Sequence, residues 1–298
     1  MRALCFGSLN IDYVYEVPHF VSRGETLAAR SLQTFCGGKG LNQSVALARA
    51  GMETYHAGAV GGDGDFLVDE LSVAGVNTEH VARLSNVRTG HAVIQRNADG
   101  DNCILLHGGA NRAITRVQID RTLAAFSAGD LLVAQNEISE LAYLLDSAKK
   151  RGLTVALNPS PMEPQLAELL PLADILLLNE IECAQLLGCK PDTEAEDMAE
   201  RLHSRCPEIT IVLTLGEQGS IYRDAAQRIR QSAVRTTAVD TTAAGDTFTG
   251  YFLAGLLTAH DARRALQYAS AAAAIAVSRP GAAPSIPTRE ETLRRMEA

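Results

Sequence analysis

Short apolar runs that end on polar or glycine residues recur along the chain and set its expected architecture. ALCF at residues 3–6 reads as a buried strand that stops at Gly7, and residues 55–60 read as another ahead of GGDGDF. From Leu131 the alternation becomes regular: LLVAQNE, a helix expected over 139–151, then TVALNPSP, ILLLNEIECAQLLG and ITIVLTLGEQG. Strands alternating with helices at this spacing predict a parallel sheet covered on both faces and joined by right-handed crossovers. In such sheets the working residues lie just past the carboxyl ends of the strands. Asn136, Glu137, Asn158, Asn179, Glu180, Glu182 and Thr214 fall there. The first third of the chain has another texture. Residues 14–17 and 26–35 mix polar and β-branched side chains, as exposed strands joined around Arg23-Gly24 do, and 89–96 and 102–107 read as strands joined by Asn97-Ala98-Asp99-Gly100. Helices are expected from Asn42, over 66–74, from Asp246 to Leu257 and over 289–298, with 76–84 as a connection.

Three stretches carry candidate chemistry. In VDTTAAGDTFTG, residues 239–250, small residues precede a helix, and such a start leaves backbone N–H groups exposed to an anion. Asp246 on the first turn can take a proton from a hydroxyl as a phosphate arrives beside it, or it can simply cap the helix. Gly37, Gly38 and Gly40 allow a backbone to approach a ligand, with Lys39 among them; GGKG lacks the GxxxxGK spacing of a nucleotide-binding P-loop. Asn10 and Asp12, at i and i+2, share one face of an extended segment. A carboxamide beside a carboxylate can grip vicinal hydroxyls, the alternative being a turn held by its own Asx bonds.

The 239–250 stretch resembles the second signature of the ribokinase-like carbohydrate kinases, the PfkB family, and CGGKGLNQSVALARAG, residues 36–51, resembles the first. The similarity runs from GSLNID (7–12) to GAAPSIP (281–287), with little chain left over. It implies an α/β fold in three layers, α/β/α, with a central, mainly parallel sheet. Residues 1–298 would form one kinase domain, with a small β-sheet lid built from about 12–35 and 89–107. The resemblance assigns sugar contacts to Asn10, Asp12, Gly38, Lys39, Asn42, Glu137 and Asp246, and makes Asp246 the base as well. The transferred phosphate falls to N–H groups around Ala243, Ala244 and Gly245, and nucleotide contacts to Asn179, Glu182, Thr214, Gly216 and Gly219. Glu182 would serve Mg2+ through water. Asp240, Thr242, Ala276, Ser278, Gly281 and Ser285 match a monovalent-cation site, hence activation by K+. The implied reaction is phosphorylation of a primary hydroxyl by ATP, O5 of D-ribose. Cys36 and Asn136 stand where family members often have apolar residues, and Leu67 where a glycine is common. Deoxyribose, fructose or a nucleoside could therefore replace ribose, and a catalytically silent sugar or nucleotide sensor is the alternative of another class. The intact Ala243-Ala244-Gly245-Asp246 run favours an enzyme.

Composition narrows the partners. The 27 Lys and Arg against 35 Asp and Glu leave a net charge of -8, without a basic block to hold nucleic acid, so an anionic substrate depends on local groups. The six cysteines lack metal-ligand spacing and read as thiols of a reducing compartment. The apolar start ends too soon for a signal peptide, and the Ala-rich run 269–277 is too short for a membrane. A cytoplasmic protein is expected, with a homodimer formed through the exposed lid sheet. His91 and His107 are expected at the sugar's edge or on the surface, outside the chemistry.

Overall fold

The computed structural model describes residues 1–99, 101–190 and 192–297. The chain begins with β1 (Ala3–Phe6), then β2 (Asn10–Glu16), β3 (Ser31–Gly37), α1 (Lys39–Arg49), β4 (Thr54–Gly61), α2 (Asp65–Val73) and β5 (Asn77–Leu84). Next come β6 (Gly90–Arg96), β7 (Asn102–His107), α3 (Arg116–Leu123), β8 (Leu131–Gln135), α4 (Leu141–Lys150) and β9 (Thr154–Asn158). The final stretch holds β10 (Ile175–Asn179), α5 (Glu180–Leu187), α6 (Ala195–Arg205), β11 (Thr210–Thr214), β12 (Ser220–Arg223), β13 (Arg228–Gln231), α7 (Ala244–Ala259), α8 (Ala262–Val277) and α9 (Arg289–Glu297).

A nine-stranded sheet runs β13-β12-β11-β10-β9-β8-β1-β4-β5, parallel from β11 to β5, with β12 and β13 antiparallel at one edge. Alternate residues of β1 serve opposite layers. Ala3 and Cys5 join one apolar cluster with α1, α2, α7 and α8, whereas Leu4 and Phe6 join another with α3, α4, α5 and α6. Burial on both faces explains why these strands are short continuous apolar runs. The layered, mainly parallel architecture is the expected one.

The second sheet runs β3-β2-β6-β7, with β2 and β6 parallel and the outer pairs antiparallel. Its strands differ in extent from the sequence reading. The strand expected over 14–17 starts at Asn10, because Asn10 and Asp12 are paired on both sides, to Gly37 and Gly90 and to Phe35 and Ala92. The strand expected over 26–35 starts only at Ser31, opposite Glu16, where its partner ends. Residues 76–84, expected as a connection, form β5 along β4. Among the described residues of the turn expected at 97–100, Asn97 Oδ1 accepts from the Asp99 and Asp101 N–H groups; Gly100 lies outside those residues, as does Ala298 of the terminal helix.

Two helices begin earlier than expected. Gly38, at φ 98°, turns the chain out of β3 so that α1 starts at Lys39 and Asn42 sits in its second turn. A Cβ at Gly38 would stand 2.9 Å from the Ser8 carbonyl oxygen, so glycine is required there. Ala243 takes a left-handed conformation, φ 60°, and starts α7 at Ala244, leaving Asp246 in the first turn. The two helices meet at Gly250, where a Cβ would lie 2.4 Å from Ala46 Cβ. Leu67 is fully buried in the core, where it joins the apolar cluster of α1, α2, α7 and α8.

Candidate active site

Asp246 is buried at the start of α7 and held from α1: Asn42 Nδ2 donates to Oδ2 at 3.0 Å, and Gln43 Nε2 donates to Oδ1 at 2.9 Å. Burial pushes its carboxyl up; the Lys39 ammonium and these two amides pull against that, while Glu182 adds to it. Lys39 loses solvation, which alone would lower its pKa, yet Asp246, Glu137 and Glu182 outweigh that loss and raise it. The lysine is therefore a fixed positive charge between two groups of carboxylates.

Around this centre the fold opens two adjoining cavities. The smaller, about 260 Å³, is lined by Lys39, Asn179, Glu182, Ala243, Gly245 and Asp246 among others. The larger, about 640 Å³, is lined by Thr214, Gly216, Gly219, Phe248, Ala273 and Val277 among others. Thr214, Thr241, Ala244 and Gly245 border both, so the start of α7 forms the sill between them. The Ala-rich helix serves twice: Ala269 and Ala272 pack in the core, while Ala273 and Ala274 wall the larger cavity. Within the first turn, the Gly245 and Asp246 N–H groups have no carbonyl four residues back inside the helix. The Ala244 N–H already reaches the Thr241 oxygen, at a long 3.3 Å.

The remaining expected sugar contacts form a second group. Ser8 Oγ donates to Glu137 Oε2, which also accepts from the Lys39 N–H at 3.3 Å; the Gly40 N–H in turn donates to Ser8 Oγ at 3.2 Å. Glu137 thus braces the glycine loop through one oxygen. Burial raises its pKa, against Ser8 and Lys39. Asp12 is pushed up to about 7, by burial first and then by the nearby Glu137 charge. Asn10 Oδ1 accepts from Asn111 Nδ2 at 2.8 Å, and Asn111 also ties the Leu9 backbone, donating to its oxygen and accepting from its N–H. His91 and His107 face each other across β6 and β7, ring centroids 5.1 Å apart, with Tyr13 beside His91.

Asn179 and Glu182 form a capping box at the start of α5: Asn179 Oδ1 accepts from the Glu182 N–H at 2.8 Å, and Glu182 Oε2 accepts from the Asn179 N–H at 3.0 Å. Among the described residues there is no group of three or more His, Cys, Asp or Glu able to hold a metal. A divalent ion here fits only as one bound mainly by phosphate and water, with a single carboxylate such as Glu182 behind them. The expected monovalent-cation residues are brought together in part. Asp240 accepts from the Thr242 and Gly281 N–H groups, both at 2.9 Å, and the Val239 and Asp240 N–H groups donate to Val277 O, drawing this loop onto the end of α8 near Ala276. The hydroxyls of Ser278, which is exposed, and Ser285, which is buried, donate to carbonyls three residues back, Ile275 O and Ala282 O, each at 2.7 Å. That carboxylate and the surrounding carbonyls suit a weakly hydrated cation such as K+ better than a small divalent one.

Sequence reasoning passed over Ser8, Gln43, Asn111 and Gln135. Two of them had a local signal: Ser8 lies within GSLNID, and Gln43 adjoins Asn42 in the glycine-rich signature.

A family model described as "pfkB family carbohydrate kinase" matches residues 2–289. Ribokinase of Haemophilus influenzae is 38% identical over 298 residues, covering 98% of this chain and 97% of its own. Deoxyribokinase of Salmonella typhi is 32% identical, with 98% and 97% covered. The structure of Arabidopsis thaliana ribokinase complexed with ribose and ATP superposes with a TM-score of 0.90 at 32% identity, covering 100% of this chain and 99% of that one.

Proposed function

The chain belongs to the pfkB family of carbohydrate kinases, and from that premise we propose that it phosphorylates D-ribose at O5 with ATP, giving ribose 5-phosphate and ADP. One observation carries the reading: a buried carboxylate, Asp246, held by two amides beside Lys39 on the sill between two cavities.

In this mechanism the larger cavity takes the nucleotide, with Thr214, Gly216 and Gly219 in its lining, and the smaller takes the phosphoryl group in transit. Asn10 and Asp12 hold the sugar hydroxyls, with Gly38, Asn42 and Glu137 around them. As the O5–phosphorus bond forms and the bond to the leaving ADP oxygen breaks, Asp246 takes the O5 proton. The Gly245 and Asp246 N–H groups and the Lys39 ammonium stabilise the charge moving toward ADP. Mg2+, when bound, neutralises phosphate oxygens, and Glu182 would hold it through water, oriented by Asn179. K+ would lie at the Asp240 loop, with Thr242, Ala276, Ser278, Gly281 and Ser285 around it, and keep the turn ahead of Ala243 in shape. Residues 1–298 act as one domain, with the second sheet as the lid. On β7, Ile104, Leu105 and Leu106 are 55%, 71% and 45% exposed, which suits a lid sheet that pairs with a second copy as a homodimer. A cytoplasmic setting suits the free thiols. Deoxyribose is the second reading, favoured by the full-length likeness to a deoxyribokinase.

The test is sugar-dependent ADP release with Mg2+, with and without K+, across D-ribose, 2-deoxyribose, D-fructose, adenosine and pseudouridine. Preference for ribose with stimulation by K+ supports the reading, and preference for another acceptor moves the specificity. Absence of turnover with every acceptor would overturn it. In Asp246→Asn turnover should fall by roughly 10²–10⁴-fold with sugar affinity kept, and wild-type turnover would remove Asp246 as the base.

A further inference from the structure

Gln43 enters the reading above only as one of the two amides on Asp246, yet it is fully buried, with its Nε2 2.9 Å from Asp246 Oδ1 and 3.2 Å from Asn158 Oδ1. Its own amide oxygen accepts from Gln135 Nε2 at 2.7 Å, and Gln135 is fully buried as well. A carboxylate only accepts hydrogen bonds, so the direction of this chain is fixed from Asp246 outward. Gln43 must turn its NH2 to Asp246, and Gln135 must then turn its NH2 to Gln43. The final amide bears the cost: Gln135 Oε1 is buried against Gly7 without a partner among the described residues. An unmet buried acceptor is expensive, and two apolar side chains of similar volume would fill the same space without it. The arrangement is explained by what it does at the other end.

We propose that Gln43, braced by Gln135, is a positioning residue for Asp246, fixing the plane of the carboxylate so that its remaining lone pairs meet the attacking hydroxyl. The inference rests on the reading of Asp246 as the base. Asn42 anchors Oδ2 and Gln43 anchors Oδ1, so one turn of α1 sets both ends of the carboxylate. The charged groups facing Asp246 are Lys39 from the same helix, Glu182 from α5 and Glu137 from the end of β8. Of these only Lys39 favours the ionised carboxylate, which leaves the two amides to supply the rest.

The test compares Gln43→Met, Gln135→Met, their double variant and Asp246→Asn with the wild-type chain. It uses kcat, both KM values, sugar affinity without ATP, the pH profile of kcat and thermal stability. In Gln43→Met, kcat should fall roughly 10- to 100-fold, the scale of a misplacement near 1 Å, with sugar affinity within about twofold and the acid limb of the profile moved to higher pH, since a lost N–H bond favours the protonated carboxyl. Gln135→Met should show a smaller loss with the same direction of limb shift, and the double variant should be no worse than Gln43→Met. A lower melting temperature with unmoved limb and kcat would mean packing alone and would overturn the proposal. If Gln43→Met fails to fold, Gln135→Met carries the test, because it leaves the bond to Asp246 in place and removes only its brace. An inactive Asp246→Asn beside a wild-type-like Gln43→Met would reject this inference alone, whereas an active Asp246→Asn would reject the base itself.

Discussion

Replacing Gly245 with alanine should strengthen the fold and weaken the enzyme, a combination that packing alone does not produce. Gly245 lies in the first turn of α7 with ordinary helical backbone, and beyond its chain neighbours and its own helix's backbone a Cβ there would meet no atom of the described residues within 4 Å. Alanine in place of a helical glycine gains at most about 1 kcal/mol, or a rise of about 1–3 °C in Tm for a chain of this size. The added methyl enters the sill shared by both cavities, where the phosphoryl group is expected to pass. A displacement of about 1 Å there costs roughly 10²-fold in kcat. The comparison is Gly40→Ala, whose Cβ would stand 2.4 Å from the Ser8 nitrogen, about 1 Å inside ordinary contact at 3.4 Å. That variant must shift α1 against β1, so its stability and activity should fall together, the former by about 1–3 kcal/mol. Thermal melts without ligands and ADP release at saturating substrates are the assays. Gly245→Ala with activity within about twofold of wild type would refute the idea that this glycine makes room for a ligand.

Two other outcomes follow from the site. Asp12 has a folded pKa near 7 against an ordinary 3.8, so the fold retains a proton that the unfolded chain releases. Its contribution to stability is therefore greatest below pH 4 and declines as pH rises toward 7; Asp12→Asn should raise the urea midpoint relative to wild type at pH 8 but not at pH 4, and equal differences at both pH values would count against it. Asn179→Ala removes the side-chain oxygen that accepts from the Glu182 N–H, for a loss of about 1 kcal/mol, and loosens the turn that carries the Glu182 carboxylate even though the residue-179 N–H that bonds Oε2 remains, so KM for Mg-ATP should rise together with a lower Tm. An unchanged KM would detach Glu182 from metal handling.

The parts of the fold visible in the sequence are those with a single physical cause. Strands buried on both faces, such as Leu131–Gln135 and Ile175–Asn179, are apolar up to their last residue and end abruptly on the polar residues that form the site. The second sheet is harder to read because its strand limits depend on partners: Ser31 begins β3 only because Glu16 lies opposite. The β12–β13 hairpin passes unnoticed because its strands are four residues long and carry arginines. At the site, Asp246, Lys39 and Asn42 are visible through the spacing of glycines around them. Gln135 closes a strand whose other residues are apolar, and Asn111 follows an expected strand end; neither has a local pattern, and each acquires its role only from a partner at least 90 residues away in sequence.

The contact between Gly250 and Ala46 has a consequence for how such a chain can diverge. Gly250 is one helical turn beyond Asp246, and Ala46 is one turn beyond Asn42, so this close contact of the two helices lies one turn along from the bond between base and amide. The smallest side chains in the interior act as a shim for the chemistry above them. A drift to a larger residue at either position, invisible from the substrate side, would part the helices and loosen the carboxylate's hold. Selection for turnover therefore reaches into the core, and two residues that touch no ligand inherit the constraint.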